Sequence, residues 1–402
     1  MTPSLARSIL PPLSVAEQQH SAAVAARLQE EIAAAGGGLS FERFMELALY
    51  APGLGYYSAG STKFGAAGDF VTAPEISDMF SRCVARQCAE VLGRTGGAGI
   101  ATEILELGAG TGRMAAKVLE ALAAEGVLPD RYAILEVSAD LAQRQRERLS
   151  LLPASLRERV IWLDRLPERP VTGVILANEV LDALPCRRFT LRSGAVRELG
   201  VAEDDEAAVT GFVERDAAAD EELASAGAAL LRELPSPLAE GYASEICLRV
   251  APWIAGVAAC LDRGLMLMFD YGLPRAHYYH PQRTAGTLRC HFKQRVHDDP
   301  YINIGVQDIT AWVDFTRVAE AAAACGLDVA GFCTQAAFLL ATGVDQLLAE
   351  ATNAVEHARL AGEARRLLLP GEMGEAFKVM ALTRECDVAL EGFALQDLRQ
   401  SL

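Results

Sequence analysis

The sequence lacks several features that would place it in a common class of protein. Its 402 residues contain no Cys-x-x-Cys pair, and the nine cysteines are scattered. An odd number of cysteines in a large chain indicates free thiols in a reducing compartment rather than a disulfide scaffold. Basic residues number 37 against 53 acidic ones, which gives a formal net charge of −16. Such a surface repels phosphate backbones and anionic membranes, so nucleic acid is not an expected partner.

Targeting and membrane signals are also scarce. No apolar run reaches the roughly 20 residues that a membrane-spanning helix needs. Before Arg27, the N-terminal segment has only Arg7 as a basic residue, and it has no apolar stretch of signal-peptide length. A secretory signal and an arginine-rich transit peptide are therefore not expected. These observations favour a cytoplasmic protein that does not insert into a membrane.

Histidines are few, and their spacing does not suggest a metal site. Four of the six lie in the polar, aromatic segment 270–307. Because they match no zinc pattern and no cysteine pair accompanies them, no metal is expected. Long loops of this kind are often functional, so the segment is predicted to be a lid or a substrate wall. The four histidines are His277, His280, His291 and His297.

Short apolar runs that alternate with helical patterns begin near residue 100. This alternation predicts a parallel sheet with helices on both faces, in a Rossmann-like α/β fold. The composition, 51% hydrophobic and 22% charged, is that of a globular protein. The predicted strands are Glu103–Leu107, Tyr132–Val137, Arg159–Leu163, Gly173–Ala177, Gly264–Phe269, Leu327–Cys333 and Phe377–Thr383.

The alternation is interrupted, and the interruption suggests a domain organisation. Residues 1–99 are predicted to be a mainly helical N-terminal segment. Residues 100–186 and 246–402 are predicted to form the sheet core. Between them, residues 187–245 are predicted to be an inserted α+β region with antiparallel strands and an acidic helix near Asp220–Leu234.

A glycine-rich turn follows the first predicted strand and opens a helix. It reads Glu106-x-Gly108-x-Gly110-x-Gly112, and alternating glycines in this context favour binding of a nucleotide-type cofactor over a plain turn. A dinucleotide fingerprint would need a small third residue at Arg113, and the lysine of a P-loop is missing. The Glu106 carboxylate would repel a pyrophosphate, but it suits the cationic amino group of a methionine moiety. The expected cofactor is therefore S-adenosyl-L-methionine (SAM).

Glu136 ends the next predicted strand, about 20 residues beyond the glycines. A carboxylate at this place can accept hydrogen bonds from both hydroxyls of a ribose. Val137, which follows it, is assigned to the same cofactor site. The alternative is that Glu136 is a solvated carboxylate at a strand end.

Polar residues also follow two later strands, and they are the candidates for chemistry. Asn178, Glu179 and Asp182 come after the strand Gly173–Ala177; a short helix beginning there would put both carboxylates on one face. Two carboxylates could hold a guanidinium, and one could take the proton that an arginine loses when it attacks a methyl group. Alternatively, Asn178 and Asp182 cap a helix. Asp270-Tyr271-Gly272, after another strand, either lines the pocket or forms a plain turn.

These motifs and others along most of the chain resemble the MidA family, which includes mitochondrial complex I assembly factors that methylate an arginine. The Gly-Asp-Phe and Asn-Glu-x-x-Asp-Ala-Leu-Pro motifs are the specific ones. The resemblance rests on Tyr50–Tyr57, Gly68–Ser77, Glu106–Gly112, Glu136–Ser138, Asn178–Pro185, Asp270–Gly272, His297–Asp298, Asp308–Thr310, Val313–Phe315 and Met373–Glu375.

The resemblance implies a class I methyltransferase fold and a protein substrate that presents an arginine, with a subunit of respiratory complex I as one candidate. It also implies that Gly68 and Asp69 contribute to the SAM site, and that His297 joins Glu179, Asp182 and Asn178 as a catalytic candidate. Within the glycine turn, this chain has Ala109 and Thr111 where the family often has Pro and Arg, which changes contacts there.

Two other functions fit the same motifs. One is a methyltransferase for a small molecule, since the segments 187–245 and 270–307 could cover a small pocket as well as a protein surface. The other is a noncatalytic assembly factor that keeps SAM as a structural ligand. The intact Asn178-Glu179 pair favours an enzyme over the noncatalytic factor.

Overall fold

The computed structural model describes residues 10–58, 71–96, 100–204 and 211–402. Two compact units can be distinguished in the chain, each made of three segments. The parallel-sheet unit comprises Val71–Leu181, Ala251–Pro274 and Val313–Leu402. The antiparallel-sheet unit comprises Met1–Phe70, Asp182–Val250 and Arg275–Trp312.

The secondary structure is numbered here in chain order. The strands are β1 (Glu103–Leu107), β2 (Arg131–Leu135), β3 (Val160–Leu163), β4 (Val171–Asn178), β5 (Arg187–Arg192), β6 (Ala195–Glu203), β7 (Phe212–Ala218), β8 (Ala243–Ile246), β9 (Leu261–Leu273), β10 (Arg289–Phe292), β11 (Arg295–His297), β12 (Asp308–Thr310), β13 (Val313–Asp314), β14 (Asp328–Thr334) and β15 (Phe377–Arg384). The helices are α1 (Val15–Ala34), α2 (Phe41–Tyr50), α3 (Ala73–Ile76), α4 (Asp78–Thr95), α5 (Arg113–Glu125), α6 (Ala139–Leu149), α7 (Ala154–Arg157), α8 (Glu221–Glu233), α9 (Val250–Ala258), α10 (Arg275–Tyr278), α11 (Phe315–Ala324), α12 (Gln335–Ala341), α13 (Val344–Ala349) and α14 (Ala354–Leu368), with short 3₁₀ helices at Glu391–Phe393 and Arg399–Ser401.

The parallel-sheet unit is built around one sheet with the strand order β14-β15-β9-β4-β1-β2-β3. The strands from β3 to β9 run parallel, β15 is antiparallel to both of its neighbours, and β13 pairs in parallel with the end of β9. This arrangement confirms the predicted Rossmann-like α/β fold. The order of the strands reverses between β1 and β4, because β2 and β3 lie on one side of β1 and β4 and β9 lie on the other.

Burial explains why these strands were recognisable as apolar runs. All five residues of β1 are buried, as expected for a parallel strand with both faces covered. Helix α4 contributes Phe80 to the core, where its ring meets that of Phe269 on β9 at 5.1 Å, and Phe269 in turn meets Phe338 of α12 at 5.2 Å. These edge-to-face contacts belong to one continuous hydrophobic core that holds helices on the sheet.

The antiparallel-sheet unit has a hydrophobic core of its own. Its sheets have the orders β7-β6-β5-β8 and β11-β10-β12. Phe41 and Phe44 of α2 are fully buried, and the Phe44 ring lies 6.4 Å from that of Phe212 on β7. Leu39 bridges to Val201 of β6 by two backbone hydrogen bonds of 2.8 Å. The predicted acidic helix is present as α8, next to the predicted antiparallel strands.

The structure differs from the sequence-based expectations in several places. The segment 270–307 was predicted as one long loop, but it contains α10, β10 and β11, because β10 pairs with both β11 and β12. The compact units also divide the chain at other points than the predicted boundaries. Residues 71–96 group with the parallel sheet because α4 buries an apolar face in its core, whereas residues 275–312 group with the antiparallel sheets. Among the described residues, helices with the length and apolar character for a membrane span are not found.

Candidate active site

The glycine turn between β1 and α5 has a backbone that only glycine adopts readily. Gly108, Gly110 and Gly112 have φ values of 66°, 52° and 77°, in the left-handed region where a side chain costs energy. Gly112 is also the N-cap of α5. A Cβ atom on Gly112 would lie 3.3 Å from the Cα of Gln145, so the turn packs closely against α6. The turn therefore leads directly into a helix N-terminus, the place where cofactor-binding turns present backbone N–H groups.

Residues of α3 and α4 also form hydrogen bonds with the turn and with the start of α5, and the sequence did not identify them as part of the site. The hydroxyl of Thr111 donates a hydrogen bond to the carboxylate of Glu75. Arg113 donates to the Glu75 carbonyl at 2.9 Å and to Asp78 Oδ1 at 3.0 Å. The predicted cofactor residues Gly68 and Asp69 lie outside the described residues.

Glu106, at the end of β1, is a buried carboxylate. Its side chain accepts a hydrogen bond of 2.7 Å from the hydroxyl of Tyr132, and the residue is 1% exposed. Burial raises the pKa of Glu106 to about 7, against the opposing effect of the Tyr132 hydrogen bond. A cation bound beside this carboxylate would favour its ionised form. The site thus fits the ammonium group that the sequence assigned to it.

Glu136 is held in place by hydrogen bonds from α6 and from its own turn. Its Oε1 accepts from the backbone N–H of Ser138 at 2.9 Å, and its Oε2 accepts from Nε2 of Gln145 at 2.8 Å. The same Gln145 amide donates to the Gly110 carbonyl at 2.9 Å. Val137 is 77% exposed, an open apolar position beside the carboxylate. Gln145 was missed from the sequence because nothing in its helical pattern indicates these contacts.

The turn after β4 has an unusual backbone. Glu179 has a φ of 54°, a conformation rare for a residue with a long side chain and typical of strained functional sites. Its N–H donates to the Phe269 carbonyl at 2.9 Å, and Leu181 N–H donates to Asp270 Oδ2 at 2.9 Å. These bonds tie the turn to the end of β9, so Asp270 acts as an acceptor that shapes the turn.

Asn178 contacts Glu179 directly. Its Nδ2 donates to Glu179 Oε1 at 3.2 Å. Its Oδ1 is buried and, within the described parts of the chain, has no hydrogen-bond partner. A buried acceptor of this kind is costly unless a ligand donor satisfies it. The expected helix at this point is absent: 179–182 form an irregular turn, because the N–H groups of Glu179 and Leu181 are bonded to Phe269 and Asp270 of β9. Glu179 and Asp182 therefore do not share a helix face, and Asn178 and Asp182 cap no helix there.

Sheet register brings the candidate residues of this unit to one edge. Leu107 of β1 pairs with Leu135 of β2 and with Ala177 of β4. The next residue on each strand is therefore Gly108, Glu136 or Asn178, at neighbouring carboxyl ends. This edge lies where the strand order reverses, which is where open α/β sheets bind their ligands.

Asp182 and His297 belong to the antiparallel-sheet unit. Asp182 is 5% exposed, and its carbonyl accepts from Ala311 N–H at 3.0 Å. His297 is 9% exposed, and its Nδ1 accepts from Asp299 N–H at 3.3 Å. Burial lowers the pKa of His297, which keeps the imidazole neutral near pH 7. Throughout the described residues, no three His, Cys, Asp or Glu side chains are grouped so that they could hold a metal ion.

Comparisons with known proteins agree with this geometry. Residues 83–333 match the profile of a family described as "Putative S-adenosyl-L-methionine-dependent methyltransferase". A crystal structure from Burkholderia thailandensis, bound to S-adenosyl-homocysteine, is 43% identical, with a TM-score of 0.91 over 98% of this chain and 100% of that one.

Curated relatives are more distant. The "Protein arginine methyltransferase NDUFAF7 homolog, mitochondrial" of Drosophila melanogaster is 28% identical, over 92% of this chain and 86% of the relative. The "Protein arginine methyltransferase NDUFAF7, mitochondrial" of Danio rerio is 26% identical, over 88% of this chain and 86% of the relative. The chain therefore belongs to this family of S-adenosyl-L-methionine-dependent methyltransferases, the MidA-like family whose motifs its sequence carries.

Proposed function

We propose that the protein transfers a methyl group from SAM to an arginine side chain of a protein substrate. The observation that carries this proposal is the turn after β4, where Glu179 is left-handed and the buried Asn178 Oδ1 has no partner among the described residues. Strain and an unsatisfied buried acceptor are costs that a purely structural turn would not need. The names of the NDUFAF7 relatives support arginine as the acceptor.

In this proposal, the edge of the parallel sheet holds the cofactor. The turn supplies backbone N–H groups, Glu106 faces the amino group, and Glu136 receives the ribose hydroxyls. Asn178 contributes its side-chain amide. The proposed cofactor residues are Gly68, Asp69, Glu106, Gly108, Gly110, Gly112, Glu136, Val137 and Asn178.

For this reaction the protein has to position the acceptor nitrogen and to accept one proton from it. Bound SAM supplies a methyl group on a positively charged sulfur, which keeps the bonding pair as a thioether when the methyl leaves. Glu179 aligns the guanidinium so that one nitrogen faces the methyl group. As the new N–C bond forms, that nitrogen gives up a proton, and the Glu179 carboxylate accepts it. Asp182 and His297 are the secondary candidates for aligning the substrate.

The proposal names a cytoplasmic enzyme whose substrate is a protein, with a respiratory complex I subunit as the first candidate. The test uses a lysate from a strain that lacks the protein, incubated with methyl-labelled SAM and the purified chain. A labelled protein band that yields methylarginine on hydrolysis supports the proposal. Label in a soluble metabolite would indicate a small-molecule methyltransferase, and no transfer despite cofactor binding would indicate a noncatalytic factor. Either result would overturn arginine methylation.

A further inference from the structure

One fully buried amide connects two parts of the cofactor site. Gln145 lies on α6 and is 0% exposed. Its Nε2 donates to the Gly110 carbonyl at 2.9 Å and to Glu136 Oε2 at 2.8 Å, and its Oε1 accepts from Trp162 Nε1 at 3.0 Å. The side chain thus joins the glycine turn after β1, the carboxylate after β2 and a ring on β3.

The three partners fix the orientation of the amide. A glutamine side chain has two N–H donors and one acceptor oxygen, and here both donors face acceptors while the oxygen faces a donor. Rotation of the amide by 180° would oppose like groups at all three contacts. A Cβ atom on Gly112 would lie only 3.3 Å from the Cα of Gln145, so the glycine turn packs closely against this residue. The amide of Gln145 therefore holds the Glu136 carboxylate in a fixed position relative to the Gly110 carbonyl.

We propose that Gln145 is a positioning residue for the ribose. It orients the Glu136 carboxylate so that its oxygens accept the ribose hydroxyls, and so makes the site selective for ribose over deoxyribose. The inference rests on the proposed role of Glu136. Gln145 is fully buried, and it acts through the carboxylate that it holds.

The test compares two ligands and two variants by calorimetry. The ligands are S-adenosylhomocysteine and the same molecule without the ribose 2′-hydroxyl. The variant is Gln145→Met, which keeps the length of the side chain but removes its three hydrogen bonds. Gln143→Met is the matched control, because Gln143 lies on the same helix, is exposed and donates its side-chain hydrogen bond to Glu147 on the helix surface.

The wild type and Gln143→Met are expected to bind the deoxy ligand about tenfold to a hundredfold more weakly than S-adenosylhomocysteine. Gln145→Met is expected to bind S-adenosylhomocysteine more weakly by a similar factor, but to discriminate the two ligands by less than about threefold. A merely structural role would weaken both ligands equally. If Gln145→Met keeps the full discrimination of the wild type, the proposal is wrong.

A second variant covers the case in which Gln145→Met does not fold. Trp162→Phe keeps an aromatic ring at this position but removes the donor to Gln145 Oε1, and should reduce the discrimination partly. Unchanged discrimination would contradict the proposal. If Glu136 does not bind the ribose at all, the wild type itself would bind both ligands equally. That result is distinguishable from failure of the Gln145 proposal alone, in which the wild type discriminates the ligands and Gln145→Met does so equally well. Glu136→Gln provides that comparison directly.

Discussion

Buried charged side chains have different kinds of partner in the two units. In the antiparallel-sheet unit, the buried Arg187 bonds Glu198 at 2.6 Å and Asp220 at 2.8 Å, so its charge is matched by two carboxylates. In the parallel-sheet unit, Glu106 is as deeply buried but bonds the neutral Tyr132, and Glu136 adds a second negative charge nearby. The paired Arg187 stabilises the fold, whereas the carboxylate of Glu106, bonded to a neutral hydroxyl, leaves a negative charge that a cationic ligand would neutralise.

The same contrast occurs along a single strand. At the amino end of β1, Glu103 bonds Arg131 at 3.0 Å and Arg169 at 2.6 Å. At the carboxyl end, Glu106 bonds Tyr132, and none of the cations in the described parts of the chain pairs with it. Parallel strands place all their carboxyl ends on one edge, so uncompensated groups accumulate there; antiparallel strands alternate and do not collect them. The difference indicates where the chain binds ligands.

The largest expected effect is a loss of methyl transfer when Glu179 is replaced, compared with a smaller loss when Asp182 is replaced. Glu179→Gln should lower methyl transfer by about 10²–10⁴, because an amide can accept a hydrogen bond but cannot take a proton. Affinity for S-adenosylhomocysteine and melting temperature should stay unchanged. Asp182→Asn, in the other unit, should cost less. Transfer is measured with the labelled protein substrate. Near-normal turnover of Glu179→Gln would exclude its role, and loss of cofactor affinity would move Glu179 into the cofactor site.

The next effect compares two left-handed glycines. Gly110→Val should weaken binding of S-adenosylhomocysteine by more than about a hundredfold, because a side chain strains the φ of 52° and occupies cofactor space. Gly194→Val is the control: its φ is 76°, its surroundings are open, and it lies in the β5–β6 turn of the antiparallel-sheet unit. Calorimetry should show loss of binding in the first variant alone. If Gly110→Val and Gly194→Val bind S-adenosylhomocysteine with equal affinity, the glycine turn is only structural.

The third prediction is that neutralising a buried carboxylate changes the stability of the protein in opposite directions in the two units. Glu198→Gln should lower the free energy of unfolding by about 1–3 kcal/mol, because it leaves part of the Arg187 charge unmatched. Glu106→Gln should raise the stability of the ligand-free protein at pH 8, since the wild-type carboxylate must ionise there while buried. Denaturant unfolding at pH 8 measures both. A destabilised Glu106→Gln would show that its charge is already compensated.

The smallest effect is a pH dependence of cofactor affinity. Burial raises the pKa of Glu106 to about 7 in the free protein, and a bound ammonium group would lower it again. Binding therefore releases a proton below pH 7, and affinity should fall about tenfold for each pH unit below that value. Calorimetry of S-adenosylhomocysteine between about pH 5.5 and 7.5 tests this. The Glu106→Gln variant should show a flat profile; an equal slope in both proteins would assign the proton elsewhere.

The sequence predicted the features that depend on local patterns. Apolar runs located the central strands, and alternating glycines located the left-handed turn, because only glycine meets that demand cheaply. The left-handed Glu179 was not predictable, since its turn depends on hydrogen bonds from Glu179 to Phe269 and from Leu181 to Asp270, about 90 residues away in the chain. Gln145 was missed for the same reason: its contact with Gly110 spans 35 residues. The units themselves are each assembled from three separated segments, and no local pattern encodes such long-range packing.

The central claim is that the cofactor binds at the carboxyl edge of the parallel sheet. Amide hydrogen exchange of the wild-type protein, with and without S-adenosylhomocysteine, tests it most directly. We predict that the ligand slows exchange in residues 107–113, 136–138 and 178–181, whose backbone groups line that edge. Unchanged exchange in these turns, together with slowing confined to the antiparallel-sheet unit, would contradict the account.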